Sequence, residues 1–287
     1  MSTEPVRLEE LLAWYADAGV DVPLRDEPVN RFAEHEAKLK SIEKSRQAAT
    51  RRQTSSAIPS PADRPPNLGV PSPQLAIPNT QAVEDAMALA AQASSLEELR
   101  EAMLGFEGCN LKFGARSTVF ADGSPLARLM IVGEGPGADE DAQGLPFVGR
   151  SGQLLDKMLA AIGLDRTKVY ISNIIPWRPP GNRKPTPAET DICLPFIRRH
   201  IELAAPDTLL LLGNTPSQAL LETSDGITRL RGAWKEVEAG ERTIPALPSF
   251  HPAFLLRQPA QKRYAWRDLL NLSRRLQETA DTQTKQT

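Results

Sequence analysis

The sequence predicts an α/β domain, a parallel sheet covered by helices on both faces, and two observations carry that prediction. From residue 128 onward, short apolar runs of strand length alternate with longer segments of helical periodicity. The strand-like runs also end at residues that turn the chain or open a loop, among them Gly133, Asn173 and Gly213. In such sheets ligands bind beyond the carboxyl ends of the strands, so the loops after Gly133, Asn173, Gly213 and Ser249 are where a site is expected.

Taken in order, residues 7–18 place Leu8, Leu11, Leu12 and Tyr15 at helical spacing and predict a short amphipathic helix. Residues 30–52 are highly charged and read as a solvated helix or coil. Residues 55–80 are dense in Pro and Ser, cannot bury enough surface to fold, and read as a tether of polyproline character. The expected division is therefore an N-terminal helical segment at 1–54, a linker at 55–80, a globular domain at 81–277 and a disordered tail at 278–287.

Within the domain, residues 82–105 are helix formers leading into the alternating part. Arg128–Val132 reads as a strand, and Ser151–Ile162 as a helix with Leu154, Leu155, Met158, Leu159 and Ile162 on one face. Val169–Ile175 is the next strand. The following helix has its start written out: Thr186 as N-cap, Pro187 at the first helical position and Glu189 three residues on form a capping box. Thr208–Leu212 is a fully apolar strand, followed by a helix over Pro216–Glu222. Trp234–Val237 and Thr243–Pro248 read as shorter strands, and Ala260–Gln277 as a closing helix.

Bulk properties set limits. The chain has 287 residues, 40% hydrophobic content, two cysteines and a net charge of −2. No apolar run approaches the length of a membrane span, and the acidic start MSTEPVRLEELL lacks the apolar core of a signal peptide. Two cysteines argue against a disulfide framework and fit a reducing compartment. A cytoplasmic, soluble protein is expected. The charge is uneven: residues 1–99 carry 10 basic and 15 acidic side chains, residues 100–275 carry 23 and 19. The mildly basic C-terminal part permits contact with a phosphate backbone.

The residues at the strand ends carry the chemistry. After the first strand comes GEGPGADEDAQGLPFVGRSGQ, with Gly133, Gly135 and Gly137 alternating, then acids and an aromatic, Phe147. The spacing is not that of a dinucleotide fingerprint, and no Lys-Ser/Thr follows, which removes a P-loop. Asn173 ends the second strand ahead of WRPPGNRKPTP, and His251 stands in SFHPAFLLRQP. Taken alone, Asn173 is as well explained by a bond to nearby backbone, His251 by a structural role, and Leu255, Leu256 and Arg257 by a loop tucked into the core. Together they supply an aromatic to stack a planar ring, an amide to read its edge, and an imidazole to hold a developing anion. They add a carboxylate for a cation or a water and an apolar wedge beside a cation. That is the equipment of base flipping and glycosidic cleavage.

Residues 105–277 resemble the uracil-DNA glycosylase superfamily, its family-4 branch in particular. The stretches GEGPGADED, PFVGRSGQLLD, SNIIPWRPPGNRKPTP, LLLLG and HPAFLLRQP carry the resemblance, in the family's order. It implies a three-layer α/β/α sandwich with a four-stranded, mainly parallel sheet. It implies an enzyme that hydrolyses the N-glycosidic bond of uracil in DNA, leaving free uracil and an abasic site. Glu134, Asn182 and His251 match catalytic positions, and Gly135, Gly137, Glu140, Phe147 and Asn173 match the uracil pocket. Arg150, Ser151, Arg183, Leu255, Leu256 and Arg257 are expected to meet the DNA. Gly135 stands where the best-known branch has its water-activating Asp, so the water's activator is left open. The expected partner is uracil-containing DNA. A monomer is expected, with a repair-protein partner for the N-terminal segment.

One departure concerns a cofactor. The branch holds an iron–sulfur cluster through four cysteines, of which this chain keeps Cys109 and Cys193. Lys112 and Trp177 stand at the other two positions. Two thiolates do not supply four ligands, so no cluster and no other metal is expected, with a relict zinc site as the alternative. The chain also lacks the His-bearing, Arg-rich insertion of a branch that crosslinks itself to DNA. A turnover enzyme is expected ahead of a non-catalytic or crosslinking DNA-binding protein.

Overall fold

The computed structural model describes residues 80–284. The expected elements at 7–18, 30–52 and 55–79 lie outside the described residues. Two helices open the domain, α1 (Thr80–Gln92) and α2 (Leu96–Gly105), followed by a short α3 (Leu111–Gly114). Ser95 caps α2 by accepting from the Glu98 N–H.

Six strands form one sheet: β1 (Asp122–Gly123), β2 (Leu129–Gly133), β3 (Val169–Asn173), β4 (Thr208–Leu212), β5 (Lys235–Ala239) and β6 (Arg242–Ser249). Their order is β1-β3-β2-β4-β6-β5. The four central strands are parallel, as expected. The sheet is wider than the four strands expected, because β1 and β5 add antiparallel edges to β3 and β6. β5 pairs with β6 across a tight turn at Gly240, and β1 is only two residues long.

Every residue of β2, β3 and β4 is buried, which is why these runs are apolar at both alternating positions. Met130, Val132, Leu209 and Leu211 face one core, closed by α1, α2 and α6 (Pro187–Ala204). Leu129, Ile131, Leu210 and Leu212 face the other, closed by α5 (Arg150–Ala160), α9 (Pro252–Arg257) and α10 (Lys262–Thr284). The result is the expected α/β/α sandwich. The capping box on α6 is present: the Thr186 hydroxyl accepts from the Glu189 N–H at 3.2 Å, and Glu189 accepts from the Thr186 N–H at 2.8 Å. The closing helix α10 runs past the boundary expected at Gln277 to Thr284, where a disordered tail was expected.

The parallel register aligns the strand ends. Gly133 is opposite Asn173, and Leu212 is opposite Ser249. The loops that follow, together with α4 (Ala138–Gln143), α7 (Asn214–Leu220) and the short α8 (Ile227–Leu230), meet at one edge of the sandwich. No helix among the described residues is long and apolar enough to cross a membrane.

Candidate active site

A cavity of about 180 Å³ opens at that edge, and ten of the residues singled out in the sequence line it: Glu134, Gly135, Gly137, Glu140, Phe147, Ser151, Asn173, Asn182, Arg183 and His251. A larger space of about 590 Å³ adjoins it, sharing Glu134, Gly135, Asn182 and His251 and adding Lys184 and Arg257.

The walls are shaped by one close approach. A side chain at Gly133 would overlap the Asn173 carbonyl oxygen and lie 2.6 Å from the Phe147 ring. Only glycine lets the amide and the ring close over the end of β2. Phe147 is buried and holds a left-handed backbone, φ 54°, which is strained for an aromatic residue. Its carbonyl packs so tightly on α5 that no side chain fits at Gly152. The Arg166 guanidinium fixes this carbonyl and that of Pro146 while pairing with Asp122 at 2.6 Å and Asp156 at 2.8 Å.

Asn173 is 5% exposed, yet its amide has no hydrogen-bond partner among the described residues. The amide is not among the side-chain atoms that are both sealed from solvent and unpartnered, so it faces the cavity. Both its donor and its acceptor are free for a ligand in the cavity.

His251 caps α9, its Nδ1 accepting the Ala253 N–H at 3.1 Å. That bond assigns the ring proton to Nε2. Burial, helped by the nearby Arg257 charge and opposed by Glu140, brings the His251 pKa down to about 4. The ring is therefore a neutral donor at pH 7. It stacks against Phe147 with centroids 5.5 Å apart.

Glu134 receives the Thr215 hydroxyl at 2.5 Å, and Thr215 is itself buried in the first turn of α7. Sequence reasoning missed Thr215, although it follows Gly213, one of the strand ends marked for inspection. Both oxygens of Glu140 are engaged by backbone, accepting from Gly137 N–H at 3.0 Å and Gly149 N–H at 2.9 Å. Glu140 thus ties the glycine turn to the loop before α5. The Asn182 side-chain oxygen accepts from Arg178 Nε at 2.7 Å, on a turn where Gly181 and Asn182 both have positive φ.

The residues expected to meet DNA divide. Arg150, Leu256 and Arg257 are exposed at the rim. Arg183 is committed to Glu189 by two bonds of 2.6 and 2.8 Å. Leu255 is a correction: at 1% exposure it belongs to the core beneath α9 and presents nothing to a duplex. HPAFLLR is helical, so successive residues point apart, Leu255 inward and Leu256 outward.

The residues at the cluster positions do not fit a four-thiolate cluster. Cys109 and Cys193 are fully buried free thiols, and the neighbouring Cys109 thiol, together with burial, raises the Cys193 thiol well above its ordinary value. The Lys112 ammonium donates to the carbonyls of Leu104 and of Phe106, the latter at 2.8 Å, and an ammonium has no lone pair to give a metal. Trp177 is fully buried, donates its indole N–H to Thr118 at 2.9 Å and stacks on Phe106. Among the described residues no three His, Cys, Asp or Glu side chains gather as a metal site.

This is an α/β protein whose parallel strands end at a small cavity lined by Phe147, Asn173 and His251. The chain belongs to the uracil-DNA glycosylase superfamily, whose model matches residues 120–271. It is 37% identical over 169 residues to a type-4 uracil-DNA glycosylase of Archaeoglobus fulgidus, covering 58% of this chain and 85% of that one. It is 38% identical over 163 residues to the type-4 enzyme of Thermotoga maritima, covering 56% and 83%. With the type-4 enzyme of Sulfurisphaera tokodaii the identity is 36% over 170 residues, covering 58% and 77%.

Proposed function

We propose that this protein hydrolyses the N-glycosidic bond of uracil in DNA, releasing uracil and leaving an abasic site. The observation that carries the reading is the Asn173 amide, without a protein hydrogen-bond partner among the described residues, facing a cavity also lined by the Phe147 ring. Uracil offers an N–H donor beside a carbonyl acceptor, the pattern one amide satisfies with two bonds. Cytosine reverses that pattern, and Asn173 discriminates against it when the amide is held with its oxygen toward the ring N–H. Thymine carries a methyl group that such a small cavity disfavours.

In this reading the uridine leaves the stack and its base slides against Phe147. As the glycosidic bond stretches, the sugar gains oxocarbenium character and the base becomes an anion. His251, a neutral donor through Nε2, meets the charge growing on the uracil O2 without carrying a proton away. Glu134, oriented by Thr215, steadies the cationic sugar or the attacking water. The adjoining space, with Lys184 and Arg257 at its wall, receives the deoxyribose and its phosphates. No metal or cluster takes part, and Trp177 with the Lys112 ammonium supplies the local structure instead.

The test is excision from a uracil oligonucleotide followed by alkaline cleavage of the abasic product. His251→Ala and Asn173→Ala should abolish it with the fold retained. Unchanged activity in both would place the site elsewhere. A persistent adduct in denaturing electrophoresis would favour the crosslinking alternative. Stoichiometric iron and acid-labile sulfide in anaerobically purified, active protein would overturn the cluster-free reading.

A further inference from the structure

We propose that the exposed face of α10 is a second DNA-contact surface, one that holds an unpaired strand leading away from the pocket. The inference extends the reading of the pocket as a uracil-DNA site. α9 ends at Arg257 on the wall of the space beside the pocket, and a single turn, Pro259–Gln261, leads straight into α10. The helix therefore starts beside the site, and its later turns run toward the opposite ends of the strands, where Ser273 and Leu276 lie near Leu129.

α10 buries Ala265, Asp268, Leu269 and Leu272. Its opposite face carries Arg263, Trp266, Arg267, Leu270 and Arg274, all exposed. An ordinary solvated helix face interleaves both signs of charge. Here Lys262, Arg263, Arg267 and Arg274 have no carboxylate partner among the described residues, while most other arginines do, such as Arg166, Arg198 and Arg231. Asp268, the acid between Lys262 and Arg274, is turned inward and held by Arg231 and Ser249, and the exposed Glu278 ends the cationic row one turn beyond Arg274. A row of unneutralised cations calls for a polyanion.

Trp266 says which polyanion. It is 42% exposed in the middle of the row. An indole can stack on a base only where the base is unpaired, and cations interleaved with an aromatic platform are the pattern of single-strand binding. Along the helix, Arg263 and Arg267 are about 6 Å apart and Arg267 and Arg274 about 10 Å, at 1.5 Å per residue. An extended strand can bring its phosphates to both. Only Trp266 and Leu270 are large and apolar on this face, too little for a membrane-inserting helix.

The experiment uses the full chain and a uracil-free, single-stranded 20-mer, read by fluorescence anisotropy across a salt series. The triple variant Arg263→Ala, Arg267→Ala, Arg274→Ala should bind at least tenfold more weakly, its log–log salt slope smaller by about 2, near 0.7 for each lost contact. Trp266→Ala should weaken binding about tenfold, and Trp266→Phe should restore most of it. The same variants should lose any excision advantage a long single-stranded flank gives over a uracil placed at the strand end. Parent-like affinity and salt slope in the triple variant would overturn the inference. If the parent binds the strand through α10 but excises no uracil from any substrate, the pocket reading fails instead. If excision is normal and the α10 variants match the parent, this inference alone fails.

Discussion

Thr215 and Glu134 are joined by a 2.5 Å hydrogen bond that ties the loop after β2 to the first turn of α7. A hydrogen bond to a charged group contributes about 1.5–3 kcal/mol, and this one fixes the carboxylate's rotamer next to the cavity. Thr215→Val keeps the shape and removes the donor. It should lower kcat roughly 10- to 100-fold with KM little changed, and Thr215→Ser should recover most of the loss. Single-turnover excision measures this. Equal losses in Val and Ser would show that packing, and not the hydroxyl, is what matters.

Asn173 gives an unusual pairing of activity and stability. The residue is 5% exposed, and its amide faces the cavity without a hydrogen-bond partner among the described residues. Asn173→Ala breaks no hydrogen bond among the described residues and only enlarges a cavity already present, so little stability is at stake. Excision should fall on the order of 100-fold or more, while the urea midpoint barely moves. A large drop in the midpoint would mean that the amide has a partner in the free protein.

Much of this site was legible before the structure, for reasons that differ residue by residue. β2 and β4 are short runs buried on both faces, and their composition leaves no other reading. The α6 start is local chemistry, Thr186 to Glu189, and survives any tertiary context. Gly133 and Asn173 are strand-end residues whose register follows from parallel pairing. The misses are tertiary. β1 is two residues held by pairing with β3, too short to show periodicity. Leu255 looks like a wedge in a linear motif and becomes core only because α9 turns it inward. Glu140 lines the cavity as the sequence suggested, but its bonds to the backbone N–H groups of Gly137 and Gly149 depend on two loops meeting. Thr215 carries no motif, and its role depends on Glu134, distant in sequence.

The depressed His251 pKa makes a pH prediction with a definite sign. Folded His251 titrates near 4 and buried His200 near 3, both below the ordinary 6.5, because burial disfavours the charged ring. The unfolded chain therefore takes up protons first as pH falls. Stability present above pH 6.5 should decline from 6.5 to about 4 for His251 and on to about 3 for His200, by at most about 1.4 kcal/mol per pH unit for each His. Excision, corrected for unfolding, should stay level from pH 8 to 6, since the donor is the neutral ring. A fall in rate on raising the pH through 6.5 would show that the imidazolium is the active form.

Arg166 sits outside the cavity, yet holds its stacking surface in place. One guanidinium reaches Asp156, Asp122 and the carbonyls of Pro146 and Phe147, and the left-handed Phe147 backbone, about 1–3 kcal/mol above its relaxed form, is kept by that grip. Arg166→Met frees the loop and leaves two acids facing a methionine. KM should rise about tenfold as the ring loses its fixed plane, and stability should fall by about 2–4 kcal/mol. Arg166→Lys keeps a charge without the fork, so it can satisfy an acid but not both carbonyls. It should regain stability more than affinity. The paired acids supply the control. Asp156→Asn removes the charge partner that is nearly half exposed, leaves the guanidinium on Phe147, and should lower stability by less than about 1 kcal/mol with KM unchanged. Urea denaturation and excision kinetics on the three variants separate the roles. A parent-like KM in Arg166→Met, with stability lost, would reduce Arg166 to a purely structural clamp.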